Sequence, residues 1–160
     1  MMHLLRSIAV VASLTAITST AAVAQISDDV VKIGVMDDMS GPYADIQRPG
    51  DVVAVKMAVE DFGGKAIEVI SGDLQNKIDV GSAIARRWYD VERVDAIMGL
   101  GSSGVAIAVQ GISQEKSRVS ITTSAGSTML PGKACAPNGI HWVYDTYALA
   151  KGTASAIQKR

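Results

Sequence analysis

The chain has 160 residues, a formal net charge of −1 and a single cysteine, Cys135. The near-neutral charge, without a basic patch, argues against nucleic acid as a partner. One cysteine excludes an internal disulfide scaffold and a metal site built from several cysteines. The length that remains after an N-terminal leader is enough for one domain.

The first 24 residues have the features of a secretory signal peptide. Their apolar stretch, Ser7–Ile17, is too short to cross a bilayer, which takes about 20 residues. Small residues at Ala22 and Ala24 form a cleavage site before Gln25. We therefore expect residues 1–24 to be removed on export.

The rest of the chain alternates between predicted strands and predicted helices. The strands are Val30–Met36, Ala66–Ile70, Val94–Met98, Val119–Thr123 and Ile140–Val143. Three predicted helices are Asp51–Phe62, Val105–Lys116 and Tyr147–Gln158. A fourth helix, between the second and third strands, is capped by Asp79 and buries Ile84 and Trp88. This alternation predicts an α/β fold with a parallel, doubly wound sheet.

Loops rich in small polar residues follow the first, third and fourth strands, at Met39–Pro42, Gly101–Gly104 and Ser124–Thr128. The first of these belongs to a longer predicted loop, Asp37–Gly50. Parallel strands place all three loops at one edge of the sheet, where ligands bind. The loop at Gly101–Gly104 also precedes a helix, whose positive end suits a carboxylate or a phosphate.

A dinucleotide site is the first enzymatic alternative, because Gly99–Gly104 matches G-x-G-x-x-G. The next strand ends in Ile121–Ser124, without the acidic residue that would hold a ribose, and the motif follows the third strand. These departures argue against a nicotinamide or flavin.

A serine hydrolase built on Ser103, His141 and Asp145 is the second alternative. The segment around Ser103 misses G-x-S-x-G, and the chain order of the three residues fits no familiar triad. His141 is better interpreted as a structural histidine.

Metal chemistry has no support either. The paired acids Asp28-Asp29 and Asp37-Asp38 lack histidine or cysteine at ligand spacing, and we interpret them as solvated loop acids. The sequence thus predicts a protein that binds a ligand rather than an enzyme, with no cofactor and no metal.

Several segments resemble the periplasmic leucine/isoleucine/valine-binding proteins, the type I solute-binding proteins of ABC importers. They are Lys32–Val35 with Met39–Tyr43, Ala54–Gly64, Ile97–Gly104 and Gly132–Lys151. The last segment resembles a subfamily that is also found with amide or aromatic-acid transport operons.

The resemblance implies a ligand site. It assigns to that site Ser102, Ser103, Ser124, Ala125, Ser127, Thr128, Tyr144 and Asp145. Ser102 would bind the ligand carboxylate through its hydroxyl and amide. The segment Ser124-Ala125 would offer a carbonyl to a ligand ammonium, and either Ser127 or Thr128 a hydroxyl.

Further roles follow from the same resemblance. Asp145 lies near an acidic ligand contact of the family, and Tyr144 or Tyr147 could pack on the ligand. Ile46 stands where some leucine binders have tyrosine, so leucine itself is not implied.

The function that the resemblance implies is that of the substrate-binding component of an ABC importer for amino acids or related small carboxylates, amides or aromatic acids. Its partner would be the membrane permease, and its location the periplasm. A ligand-sensing receptor or an amide-responsive regulator of the same fold is the alternative.

Members of that family have two lobes and about twice this length or more. Residues 25–145 would form part of the first lobe, and residues 146–160 the start of a crossover into a second one. The resemblance therefore implies a truncated form or a fragment.

Overall fold

The computed structural model describes residues 29–63 and 66–159, so the predicted signal peptide lies outside the described residues. The strands are β1 (Val31–Asp37), β2 (Ile67–Asp73), β3 (Ala96–Gly99), β4 (Val119–Thr122) and β5 (Gly139–His141). The helices are α1 (Ala44–Asp61), α2 (Ile78–Asp90), α3 (Ser103–Glu115) and α4 (Thr146–Gln158). No helix within the described ranges is both long and apolar enough to cross a membrane.

The five strands form one parallel sheet in the order β2-β1-β3-β4-β5. The chain first builds outward from β1 to β2, and then returns past β1 to add β3, β4 and β5. The strand order therefore reverses between β1 and β3, which is where doubly wound sheets bind ligands. The predicted fold class is confirmed.

Helices cover both faces of this sheet. On β1, Gly34 lies directly under the indole of Trp88 from α2, and a Cβ at this glycine would lie 2.3 Å from the ring. Val35, the next residue, points to the other face and lines a cleft with Val55 of α1. The main core lies on the face of α2 and α3, and it includes Trp88 and Ile97.

The predicted loop Asp37–Gly50 is too long, because α1 begins at Ala44 and not at Asp51. The Asp38 carboxylate accepts hydrogen bonds from the amides of Gly41 (2.7 Å) and Tyr43 (2.9 Å), which turns the chain directly into the helix. Among the described side chains of the first two turns, the buried one is the polar Gln47. Apolar spacing therefore does not reveal this part of the helix.

The start of α2 also differs from the prediction. Lys77 is the N-cap and makes no side-chain cap hydrogen bond, whereas Asp79 lies in the first helical turn. There its charge still favours the positive end of the helix. β2 extends to Asp73, beyond its predicted end at Ile70, whereas the other strands, α3 and α4 begin and end within about two residues of their predicted bounds.

Candidate functional site

Backbone hydrogen bonds join the carboxyl ends of four neighbouring strands. The Leu100 amide donates to the Met36 carbonyl of β1 (2.8 Å), and the Thr123 amide donates to the Gly99 carbonyl of β3 (3.0 Å). The Trp142 amide donates to the Thr122 carbonyl of β4 (2.8 Å). The loops after β1, β3, β4 and β5 therefore line one edge of the sheet, as predicted for the first three polar loops.

The turn between β3 and α3 has an unusual backbone. Gly99 and Leu100 are consecutive residues with positive φ, +96° and +62°. For leucine this conformation costs free energy, and it persists where the surroundings determine it. The Leu100 side chain is buried in the core and its amide donates to the Met36 carbonyl, and these two interactions hold the conformation in place.

Ser102 follows this turn as the N-cap of α3, with extended backbone and 8% of its surface exposed. Its carbonyl accepts the Ala106 amide, but its hydroxyl makes no hydrogen bond to the described residues. The first turn of α3, which begins with Ser103, contains no acidic residue. A free hydroxyl at the positive end of a helix can bind an anion.

The loop after β4 is held from the side of β5. His141 contacts the Ala125 carbonyl through Nε2 (2.7 Å), and the Thr146 amide donates to the Gly126 carbonyl (2.8 Å). The Ala125 carbonyl, a predicted ligand contact, therefore already has a partner. The adjacent Ser124 is half-buried, and its side chain has no hydrogen bond to the described residues.

The remaining predicted site residues differ in how they are engaged. The Ser127 hydroxyl accepts the Met129 amide (3.2 Å), whereas Thr128 is exposed. Tyr144 is 59% exposed, and its ring lies against Gly126, where a Cβ would be 3.6 Å from Cε2. The structure thus places Tyr144 beside the loop after β4.

Asp145 caps α4, because its carboxylate accepts the Ala148 amide (2.7 Å). Together with the contact of His141 to Ala125, this leaves Ser103, His141 and Asp145 without the mutual hydrogen bonds of a catalytic triad. The interpretation of His141 as structural is confirmed, and its role is to hold a loop of the site.

The acidic pair at the end of β1, Asp37 and Asp38, corrects one prediction. Asp37 and Asp38 are both fully buried and are not solvated loop acids. Asp38 binds the amides of the turn into α1, and the spacing of an aspartate three residues before Gly41 is the signal that could have revealed it. Nothing local in the sequence reveals the burial of Asp37, because α1 and β3 together cause it.

Two carboxyl groups at this edge have shifted pKa values. Burial, reinforced by the neighbouring charges of Asp51 and Asp38, raises the pKa of Asp37 to about 8. Burial acts in the same direction on Asp73, but hydrogen bonds from Ser40 and from the amides of Gln75 and Met39 lower its pKa overall. No group of three or more potential metal ligands occurs within the described ranges.

Comparison with known proteins identifies the family. A family model described as periplasmic binding protein matches residues 30–160. No match was found among curated proteins.

Solved structures of the same fold are similar over most of this chain. A periplasmic binding protein from Burkholderia mallei is 45% identical, with a TM-score of 0.79 over 83% of this chain and 36% of its own. A branched-chain amino acid ABC transporter periplasmic ligand-binding protein from Burkholderia xenovorans is 35% identical, with a TM-score of 0.76; the match covers 81% of this chain and 36% of that protein. A Rhodopseudomonas palustris solute-binding protein in complex with benzoate shares the fold at 24% identity, with a TM-score of 0.72; the match covers 81% of this chain and 37% of that protein.

This chain spans about 36% of the length of the two Burkholderia proteins, and its five-stranded sheet corresponds to part of one lobe of such proteins. The matched residues cover every strand and helix described above. The chain therefore belongs to the periplasmic binding protein family.

Proposed function

We propose that this chain is the first lobe of a solute-binding component of an ABC importer, and that its ligand is an amino acid or a related small carboxylate. The free hydroxyl of Ser102 at the N-terminus of α3 carries the proposal. It lies at the reversal of strand order, where ligands bind to doubly wound sheets.

A carboxylate is the ligand group that best suits this position. The hydroxyl of Ser102 and the first amides of α3 are hydrogen-bond donors at the positive end of a helix dipole. Solved proteins of this fold hold isoleucine or benzoate, which share only the carboxylate as an anionic group. We therefore assign the carboxylate to Ser102, with Ser103 beside it.

The loop after β4 provides the second side of the proposed site. His141 and Thr146 fix the carbonyls of Ala125 and Gly126, which leaves the side chains of Ser124 and the exposed Thr128 for the ligand. The ring of Tyr144, held against Gly126, offers an apolar surface to a ligand body. The side-chain oxygens of Asp145 and Ser127 already accept hydrogen bonds from backbone amides, so they would bind the ligand only by accepting a further hydrogen bond.

Residues 146–160 are proposed to lead into a second lobe. None of the described residues of α4 is buried, and its apolar side chains form a stripe along the helix that is open to solvent. Leu149, Ala150 and Ile157 belong to this stripe. Closure of a second lobe would cover it and remove the ligand from water.

Export and partner belong to the same proposal. Cleavage after Ala24 would release the mature chain into the periplasm, where a membrane permease would receive the loaded protein. The match to the periplasmic binding protein family and the similarity to a periplasmic ligand-binding protein of an ABC transporter support this assignment.

A serine-to-alanine substitution tests the role of Ser102. In a two-lobe form, with a second lobe following residue 160, Ser102→Ala removes one charge-assisted hydrogen bond to the carboxylate. We expect a loss of about 1.5–3 kcal/mol, or roughly 10- to 150-fold in affinity. Calorimetric titration with isoleucine and with benzoate measures it.

Ser155→Ala is the matched control, because this serine is exposed on α4 and far along the chain from the site. It should leave the affinity unchanged. A loss below about threefold for Ser102→Ala would contradict the proposal, since a charge-assisted hydrogen bond contributes more than this.

A further inference from the structure

A buried carboxyl group lies beneath the turn that carries Ser102. Asp37, the last residue of β1, has no exposed surface. Neither of its oxygen atoms has a hydrogen-bond partner within 3.5 Å among the described residues. An unpaired buried carboxylate is costly, so a group in this position either binds something or keeps its proton.

The turn itself is shaped around this carboxyl. A Cβ at Gly99 would lie 2.4 Å from Oδ2 of Asp37, so only glycine leaves room for the carboxyl at the end of β3. Gly101, two residues later, leaves similar room for Gln47, since a Cβ there would lie 1.2 Å from its Nε2. Gln47 Oε1 in turn accepts the Asp38 amide (3.0 Å), which joins α1 to the ends of β1 and β3.

The charges around Asp37 are negative. Asp51 faces it from α1 and Asp38 from the end of β1, while the Gly101 amide approaches from the turn after β3. On β2, Asp73 is paired in register with Asp37, but its carboxylate is turned toward Ser40 and the amides of Met39 and Gln75. No cationic side chain among the described residues contributes to the environment of Asp37.

We propose that the buried Asp37 keeps its proton, and that this neutral carboxyl positions the Gly99–Ser102 turn for ligand binding. Neither oxygen has a partner that would compensate a charge, and Gly99 lies directly against the carboxyl, so the turn packs on the neutral form. Ionisation would draw the carboxyl toward water and loosen the packing of the turn on β1. The proposal rests on the proposed function only for its effect on affinity, because the proton itself can be observed without ligand.

The direction of the pH effect follows from the raised pKa. Asp37 ionises near pH 8 when the turn is in place and near its ordinary value of 3.8 when it is exposed. The ordered turn therefore gains stability from the bound proton, fully so below the ordinary value. This stability is lost progressively as the pH rises, and it is gone above about pH 8.

Carbon-detected NMR on the 160-residue chain tests the proposal. The carboxyl carbon of Asp37 and the amides of Gly101 and Ser102 are followed from about pH 4 to about pH 10, which brackets the ordinary and raised pKa values. We expect one common midpoint near pH 8. Asp37→Asn should abolish the transition at both amides, and Asp51→Asn should move the midpoint of Asp37 downward.

Asp61→Asn is the matched control, since it makes the same chemical change at an exposed position of α1. It should leave the midpoint where it is. A midpoint of Asp37 near pH 4, or amides of Gly101 and Ser102 that do not follow it, would overturn the proposal. If Asp37→Asn does not fold, the wild-type titration and Asp51→Asn still decide.

Titration with benzoate of the two-lobe form, with a second lobe following residue 160, separates this proposal from the proposed function. The affinity for benzoate should fall about tenfold from near pH 6 to above pH 9, as the binding-competent fraction falls to about a tenth. In Asp37→Asn the affinity should be independent of pH. No binding at any pH, together with the shared midpoint near pH 8, would contradict the proposed ligand and support the positioning role. Affinity that is independent of pH in the wild type would overturn the proposed effect on binding.

Discussion

The two faces of the sheet differ in how completely they are packed. On the face of α2 and α3, the indole of Trp88 fills the space over Gly34 and Gly72, where a Cβ would lie 2.3 Å and 2.8 Å from the ring. On the face of α1, two clefts of ≈ 210 Å³ and ≈ 350 Å³ remain, and both are lined by Val55 and Met98.

This difference separates stability from ligand binding. The closed face buries large side chains and should provide most of the free energy of folding, because buried apolar area is the main stabilising contribution. The face of α1 instead holds the Asp37 carboxyl next to the turn that carries Ser102. Substitutions on the two faces should therefore differ in their effect on stability.

Truncating the indole on the closed face should have the largest effect. Trp88→Ala removes a fully buried ring and leaves two glycines without a partner, so we expect a loss of about 3–5 kcal/mol in the free energy of unfolding. Urea denaturation followed by circular dichroism measures it. Phe62→Ala, at a ring that is 80% exposed beyond the end of α1, is the control and should change stability by about 0.5 kcal/mol or less. Similar losses in both variants would show that the two faces do not differ.

A methyl group at the turn should have an intermediate effect. Gly99→Ala forces a positive φ on alanine and brings its Cβ against the Asp37 carboxyl, so we expect a loss of about 1–3 kcal/mol. Gly111→Ala, inside α3 with nothing within 4 Å of the added carbon, should be neutral or stabilising by about 0.5–1 kcal/mol. Thermal unfolding of both variants provides the comparison. An unchanged stability of Gly99→Ala would mean that the turn can rearrange around the carboxyl.

A charge on the open face should change association more than stability. Met57 is 59% exposed on α1, and exposed apolar patches promote self-association. We expect the wild type to be larger than a monomer in light scattering and Met57→Lys to be smaller. The change in unfolding free energy should stay within about 0.5 kcal/mol. Gln114→Lys adds the same charge at an exposed position of α3 and should leave the size unchanged; a monomeric wild type would contradict the expectation.

The sequence predicted the sheet and its functional edge well, because both depend on local signals. β-branched runs followed by helical spacing identify a parallel fold, and small polar residues after β1, β3 and β4 identify the edge. Ser102 could be singled out because a serine between a strand and a helix is a local pattern. The two turns of α1 before Asp51 escaped prediction, because their buried residue, Gln47, is polar.

The order of strands and helices, the polar loops and the helix N-terminus that suits an anion can be predicted from sequence, since each arises within a short stretch of chain. Three features depend on the folded arrangement: Asp37 is buried near Asp51, His141 holds the Ala125 carbonyl, and Asp145 caps α4. The first two arise between residues that are 14 and 16 positions apart in sequence. From sequence, Asp145 is compatible with a helix cap or a ligand contact, and in the structure its carboxylate caps α4. An aspartate exposed in a loop and one buried at the end of a strand have the same letter in a sequence, and the desolvation that the fold creates gives them different pKa values.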